Sequence, residues 1–142
     1  MPNKSRRHVA CSLARVSARD YKELIIWQLA NELRAETLRL LRRSGFHRDW
    51  DVRREARKTA SQVCRPIPEG FRRRSHGEFA QFLQYSLASL GELRDLFDDI
   101  QQRHYLTARE LQPARNLCYR LERALLSFIR YLRHNDPPPW WR

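Results

Sequence analysis

The chain has few of the residues that tight turns, sheets, disulfides and export require. Four glycines in 142 residues leave little room for tight turns, and alternating runs of Val, Ile and Thr are missing. That excludes a sheet protein and points to long helices. The three cysteines, Cys11, Cys64 and Cys118, are far apart and odd in number, with no C-x-x-C spacing. They form neither a disulfide framework nor a zinc site. No apolar run reaches the length of a signal peptide or a membrane span, and the longest early piece, around Val9 to Ala14, is broken by Ser12. A cytoplasmic protein with no membrane contact is expected. Lysine is scarce, at Lys4, Lys22 and Lys58 alone, yet Lys and Arg number 28 against 16 acids, a formal net charge of +12. The charge is therefore carried by guanidinium, which forks onto phosphate oxygens better than ammonium does. A field of this sign attracts polyanions, of which nucleic acid is the leading one. A GC-rich genome also inflates arginine, so composition by itself leaves both solubility and binding open.

One domain is expected at this length. Lys4, Arg6, Arg7, Arg15 and Arg19 all precede the first acid, Asp20, so residues 1–19 read as a basic, flexible extension. Asp20 with Glu23 can cap a first helix to about Arg43, closed by Ser44-Gly45, with Ile26, Trp27, Ala30, Leu33, Thr37, Leu40 and Leu41 on one face. A second helix from Asp49 or Asp51 carries a stripe of small residues, Val52, Ala56, Thr59, Ala60 and Val63, and is broken where Pro66 and Pro68 bend the chain. Ser75 with Glu78 is a capping-box pattern for a third helix, His76 to Arg103. Its seam, Phe79, Leu83, Ser86, Leu90, Leu93, Phe97 and Ile100, recurs in steps of four and three. Thr107 with Glu110 offers a second box for a fourth helix to about His134, with the seam Ala114, Cys118, Leu121, Leu125, Phe128 and Leu132. Pro113 predicts either a kinked second turn or a start nearer Gln112. Short connections favour antiparallel neighbours. The fold expected is all-α, an up-down-up-down four-helix bundle over residues 20–134, followed by an extended Pro/Trp-rich tail over 135–142 whose Trp140 and Trp141 sit beside Arg142.

A family resemblance is carried by Leu24, Trp27, Gln28, Ala30 and Leu33, then by Ile67, Glu69, Gly70, Phe71, Arg73, Ser75, Glu78, Phe79, Phe82, Leu83, Ser86, Ser89, Glu92 and Leu93. With these the chain, over roughly residues 20 to 134, resembles a bacterial four-helix-bundle protein family. Its members include proteins encoded in intervening sequences of large-subunit (23S) ribosomal RNA genes and the accessory variability determinant of diversity-generating retroelements. The resemblance implies a ring-shaped homopentamer with a central pore, and either a ribosomal RNA gene context or work beside a reverse transcriptase on nucleic acid. It also implies structural parts for Trp27, Glu69, Gly70, Ser75, Glu78 and Glu92: a core anchor, a glycine for a backbone turn, helix caps, and glutamates that pair with arginines. The pattern departs at Pro66-Ile67-Pro68-Glu69-Gly70, where relatives resemble Asn-Ile-Ala-Glu-Gly, and at Ala88-Ser89, where they resemble Gly-Ser. Any role of that asparagine is not carried over.

Catalytic apparatus is not visible. None of the nine glutamates has a histidine three residues later, as a di-metal bundle centre would need. Glu92, Asp95, Asp98 and Asp99 read as a solvated face or as partners for Arg94 and Arg103. No nucleophile, base and acid share a recognisable spacing, and there is no Gly-rich phosphate loop. An enzyme, a cofactor and a metal are not expected. The basic residues are better organised: Arg53, Arg54, Arg57, Lys58 and Arg65 load the outer side of the second helix, Arg72, Arg73 and Arg74 sit at the joint before the third, and Arg120, Arg123, Arg130 and Arg133 run down the fourth. Apolar residues beyond the seams, Leu24, Ile25, Leu29, Phe82, Leu87, Leu117, Leu126, Ile129 and Tyr131, suggest self-association or merely wider core stripes. The expectation is a non-catalytic oligomeric scaffold holding RNA or DNA with little sequence preference. The alternative is a protein-protein interaction module that recruits an acidic protein partner.

Overall fold

The computed structural model describes residues 18–43 and 49–137. The expected features within residues 1–17, the Ser44-Gly45 stop and Trp140, Trp141 and Arg142 lie outside those residues.

Helix starts follow local chemistry, with one exception. The Asp20 carboxylate accepts from Lys22 N–H at 3.0 Å and closes only a 3-10 turn, Tyr21–Glu23. The first α-helix, α1 (Ile25–Leu41), begins one turn later than expected, with Leu24 as its N-cap in an extended conformation. Leucine has no oxygen with which to cap; its side chain turns into the core and is 3% exposed. Helix α2 (Trp50–Cys64) starts as expected, with Asp49 Oδ1 accepting from Val52 N–H at 3.2 Å. The two prolines, expected only to break it, instead open a further short helix, α3 (Pro66–Arg72). Both occupy its first turn, where backbone N–H groups have no intrahelical acceptor, so neither costs a hydrogen bond.

Helix α4 (His76–Gln102) has Ser75 as N-cap, its hydroxyl accepting from Glu78 N–H at 3.3 Å. Helix α5 (Ala108–His134) has the full reciprocal box between Thr107 and Glu110 and runs through Pro113 rather than starting after it. Among the described residues there is no strand, and no helix is long and apolar enough to cross a membrane.

Contacts between helix ends fix the directions. The end of α1 meets the start of α5 through Arg43 and Glu110, and the start of α2 meets the end of α4 through Asp49 with Arg103 and Tyr105. At the other end of the molecule the Cys64 thiol donates to Ala30 O at 3.2 Å, Ser86 Oγ donates to Val63 O at 2.8 Å, and His76 Nδ1 lies 2.5 Å from Asn135 O. Successive long helices therefore alternate in direction. Helices α1 and α4 each pack on both α2 and α5, which leaves α2 and α5 on a diagonal, while α3 lies along α4.

The seams read from the sequence are buried, including Ser86, whose hydroxyl is satisfied on α2. The core is wider than those seams. Leu24, Leu29 and Ile129, expected at a subunit interface, are 3%, 6% and 4% exposed and belong to the intramolecular core. The reason is geometric: α1 and α5 each touch two long neighbours, so each needs a broader apolar stripe than a single seam. Gly70 also serves differently from expectation. Its φ is not positive, so no turn requires it; a Cβ there would lie 2.8 Å from both Phe79 Cδ1 and Phe82 Cβ. The absence of a Cβ is what lets α3 lie close against α4 here.

The joint at Asp49 sets a pH dependence. Its carboxylate accepts from Tyr105 O–H at 2.7 Å, Val52 N–H at 3.2 Å and Arg103 N–H at 3.0 Å. These bonds, the tyrosine's first, hold its pKa below the usual carboxylate range. The stabilisation is fully present above the unfolded pKa and is lost as pH falls through the lowered folded value. In circular-dichroism melts, Asp49→Asn is expected to lower the melting temperature at neutral pH and to flatten its further decline below about pH 4. An unchanged acid limb would show that the carboxylate is not a linkage site.

Candidate nucleic-acid interface

On α2, a rotation of about 100° per residue places Trp50, Arg54, Arg57 and Ser61 along one line, with Lys58 beside it, opposite the buried stripe. Arg54, Arg57, Lys58 and, at the joint with α3, Arg65 are exposed. Arg53 departs from its expected outward role. It is half-buried, its guanidinium lies 5.6 Å over the Trp50 ring, and its Nε is buried without a partner. Its position on the helix, to one side of the outer line, turns it toward the aromatic ring instead of solvent.

At the α3–α4 joint, Arg72, Arg73 and Arg74 are all exposed. The first lies 5.7 Å over the Tyr21 ring and the second 5.1 Å over Phe82. Arg74 turns the chain into α4 with a left-handed φ of 55°, a conformation that costs a non-glycine residue about 1 kcal/mol. With Ser75, His76 and Gly77, and with Leu132 to Pro137 from the end of α5, it lines an open concavity of about 780 Å³. Arg74 and Arg133, 59 positions apart in the chain, thus share one rim with His134, and Asp136 is the acid among them.

Along the outside of α5, Tyr119, Arg123, Leu126, Arg130 and Arg133 recur in steps of four and three and are all exposed, with Arg120 to one side. Arg123 Nη1 donates to the Tyr119 hydroxyl at 2.8 Å and its guanidinium lies 5.5 Å from the ring centroid.

The ion pairs lie elsewhere. They join Arg39 to Glu36, Arg43 to Glu110, Arg94 to Glu122, Arg103 to Asp49 and Asp99, and Arg115 to Asp98. Of the twelve basic residues nominated from sequence, only Arg54 has an ionic partner among the described residues. That partner is Asp51, and both side chains are largely in water, where such a pair contributes little. Within the acidic cluster of α4, Asp98 and Asp99 are used in pairs, whereas Arg94 reaches across to α5. Glu69 and Glu92, expected to pair with arginines, are exposed and make no ion pair among the described residues. Each lies on an outer face of its helix. Trp27 is a half-buried rim of the core, edge-on to Tyr21 at 5.6 Å.

The family model described as 23S rRNA-intervening sequence protein matches residues 22–127, from the 3-10 turn to well inside α5. The chain belongs to that family. No curated protein and no solved structure matches it. Within this member of the 23S rRNA-intervening sequence protein family, the match takes in the α2 row and the α3–α4 joint, while Arg130 and Arg133 lie beyond it. The remaining chemistry of the site is sparse. Burial pushes the Cys64 and Cys118 thiols up to about 11, so both stay protonated at neutral pH. Among the described residues no group of three or more His, Cys, Asp or Glu side chains could hold a metal ion.

Sequence reasoning missed the exposed aromatics of the surface, Trp50, Tyr85 and Tyr119. The four-residue step from Tyr119 to Arg123 was the available signal, since such pairs share a helix face.

Proposed function

We propose that this protein is a non-catalytic scaffold that binds RNA or DNA, mainly through phosphates and with low sequence preference, as a cytoplasmic ring-shaped homopentamer. The observation that carries the reading is the division of the charges: six acids pair with arginines outside the three basic groups, while eleven of the twelve nominated side chains have no ionic partner among the described residues. Unpaired guanidinium on a rigid surface is what a phosphate chain needs. The family description, with its 23S rRNA intervening sequence, supports RNA as the polyanion and a ribosomal RNA link; service to a reverse transcriptase is the other context that the resemblance offers.

Assembly rests on the apolar groups left at the surface away from the α5 arginine row, Ile25 exposed and Phe82, Leu87, Leu117 and Tyr131 half-buried, with the number five taken from the resemblance; Leu126, also nominated for the interface, lies within that row. A ring repeats weak sites and raises avidity without a new contact. Light scattering is expected to give about five times 17.2 kDa; a stable monomer at micromolar concentration removes the ring. Retention on RNA or DNA is expected at low salt, with the logarithm of affinity falling linearly with the logarithm of salt. No retention at low salt refutes the binding function.

A further inference from the structure

The geometry points to Tyr119 as a base-stacking position and so to a single strand as the nucleic acid that lies along α5, an inference that rests on the binding function above. Tyr119 is 54% exposed on the outer face of a regular helix, where a ring that served only the fold would be turned inward. It is held in place by the Arg123 hydrogen bond and by the guanidinium against its π-system. A cation lies 5.5 Å from the ring centroid and more than half of the residue is open to solvent, an arrangement that both stacking and cation–π attraction favour.

The rest of the line fits the same ligand. From Tyr119 to Arg133 the helix rises ~21 Å, and along it ring, guanidinium, leucine, guanidinium and guanidinium succeed one another. Leu126, 49% exposed between Arg123 and Arg130, offers nothing to phosphates but packs against bases and sugars. In a duplex the base faces are hidden within the stack, so neither Tyr119 nor Leu126 would find a partner there. A subunit contact is the less suitable occupant, because burying Leu126 would strip water from the arginines on either side of it, a costly step without opposite charges to meet them. The head of the α2 row repeats the device, with Trp50 68% exposed and Arg53 5.6 Å over its ring.

The test uses the full chain with a labelled single-stranded RNA and a blunt RNA duplex of equal length. Tyr119→Ala is expected to weaken single-strand binding about tenfold, the loss of one stacked base, and to leave duplex binding unchanged. Tyr119→Phe is expected to bind as the parent does, and a fluorescent purine analogue in the strand should be quenched by the parent and by Tyr119→Phe but not by Tyr119→Ala. Helicity of each variant by circular dichroism guards against misfolding. Equal single-strand affinity for the parent and Tyr119→Ala, or equal losses on strand and duplex, overturns the stacking role while leaving nucleic-acid binding intact. Failure of the parent to bind either probe overturns both.

Discussion

Replacing Arg72, Arg73 and Arg74 together by glutamate is expected to remove most of the protein's hold on nucleic acid. The three side chains are exposed at one joint and have no ionic partner among the described residues, and Arg74 lines the concavity shared with Arg133. If each contacts one phosphate of a single strand, each contributes about 0.7 to the salt slope. Losing three lowers the slope by about two, which corresponds to about a hundredfold weaker binding at 0.1 M salt relative to 1 M. Three new carboxylates add repulsion on top. The substitutions touch the fold lightly, through the two arginine–aromatic contacts at Tyr21 and Phe82 and the favourable placement of cations at the end of α3. Titrations across a salt series decide the matter. An unchanged slope excludes this corner as a phosphate site, and loss of an acidic protein partner with nucleic acid still held would favour the protein-recruiting alternative.

Gly70→Ala is expected to destabilise the bundle by about 1–3 kcal/mol, the range for overpacking a filled site. The added methyl would stand 2.8 Å from Phe82 Cβ, which moves only with its backbone, and from Phe79 Cδ1. Phe79 is 1% exposed and packs edge-on against Phe71 and Phe128, so its ring has little room to yield. Helix propensity works the other way, since alanine is favoured over glycine by about 1 kcal/mol in a helix, but the clash is the larger effect. Gly91 supplies the control: nothing lies within 4 Å of its added Cβ, and Gly91→Ala should stabilise by about 0.4–1 kcal/mol. Thermal and denaturant unfolding of both variants checks the pair. If Gly70→Ala is as stable as the parent, the close approach of α3 to α4 is not a constraint on this position.

What the sequence showed and what it hid divide along the distance over which the physics acts. Ser75 with Glu78, Thr107 with Glu110, and Asp49 ahead of Val52 announce helix starts because the bonds close within three residues. The seams of α4 and α5 were legible for the same reason, since their period belongs to one helix alone. Asp20 misled because a carboxylate can close a 3-10 turn as readily as a helix, and the choice lay with the burial of Leu24. From sequence Leu29 and Ile129 fit either an interface or a wider core stripe, because a single stripe says nothing of how many neighbours a helix will have. The meaning of Gly70 needed Phe79 and Phe82 across the joint, and the rim joining Arg74 to Arg133 needed His76 to meet the Asn135 carbonyl. The basic rows themselves were visible; that their arginines would be left without carboxylates depended on which acids the other arginines captured.

Pro66 and Pro68 have a consequence beyond the path of the chain. By opening a helix where only a bend was expected, they hand the segment before the arginine corner a backbone that is already ordered. A ligand that docks there has less chain freedom to freeze, so more of each contact is retained as affinity. The stiffness that proline gives this corner is thus a form of preorganisation, set in place before any partner arrives.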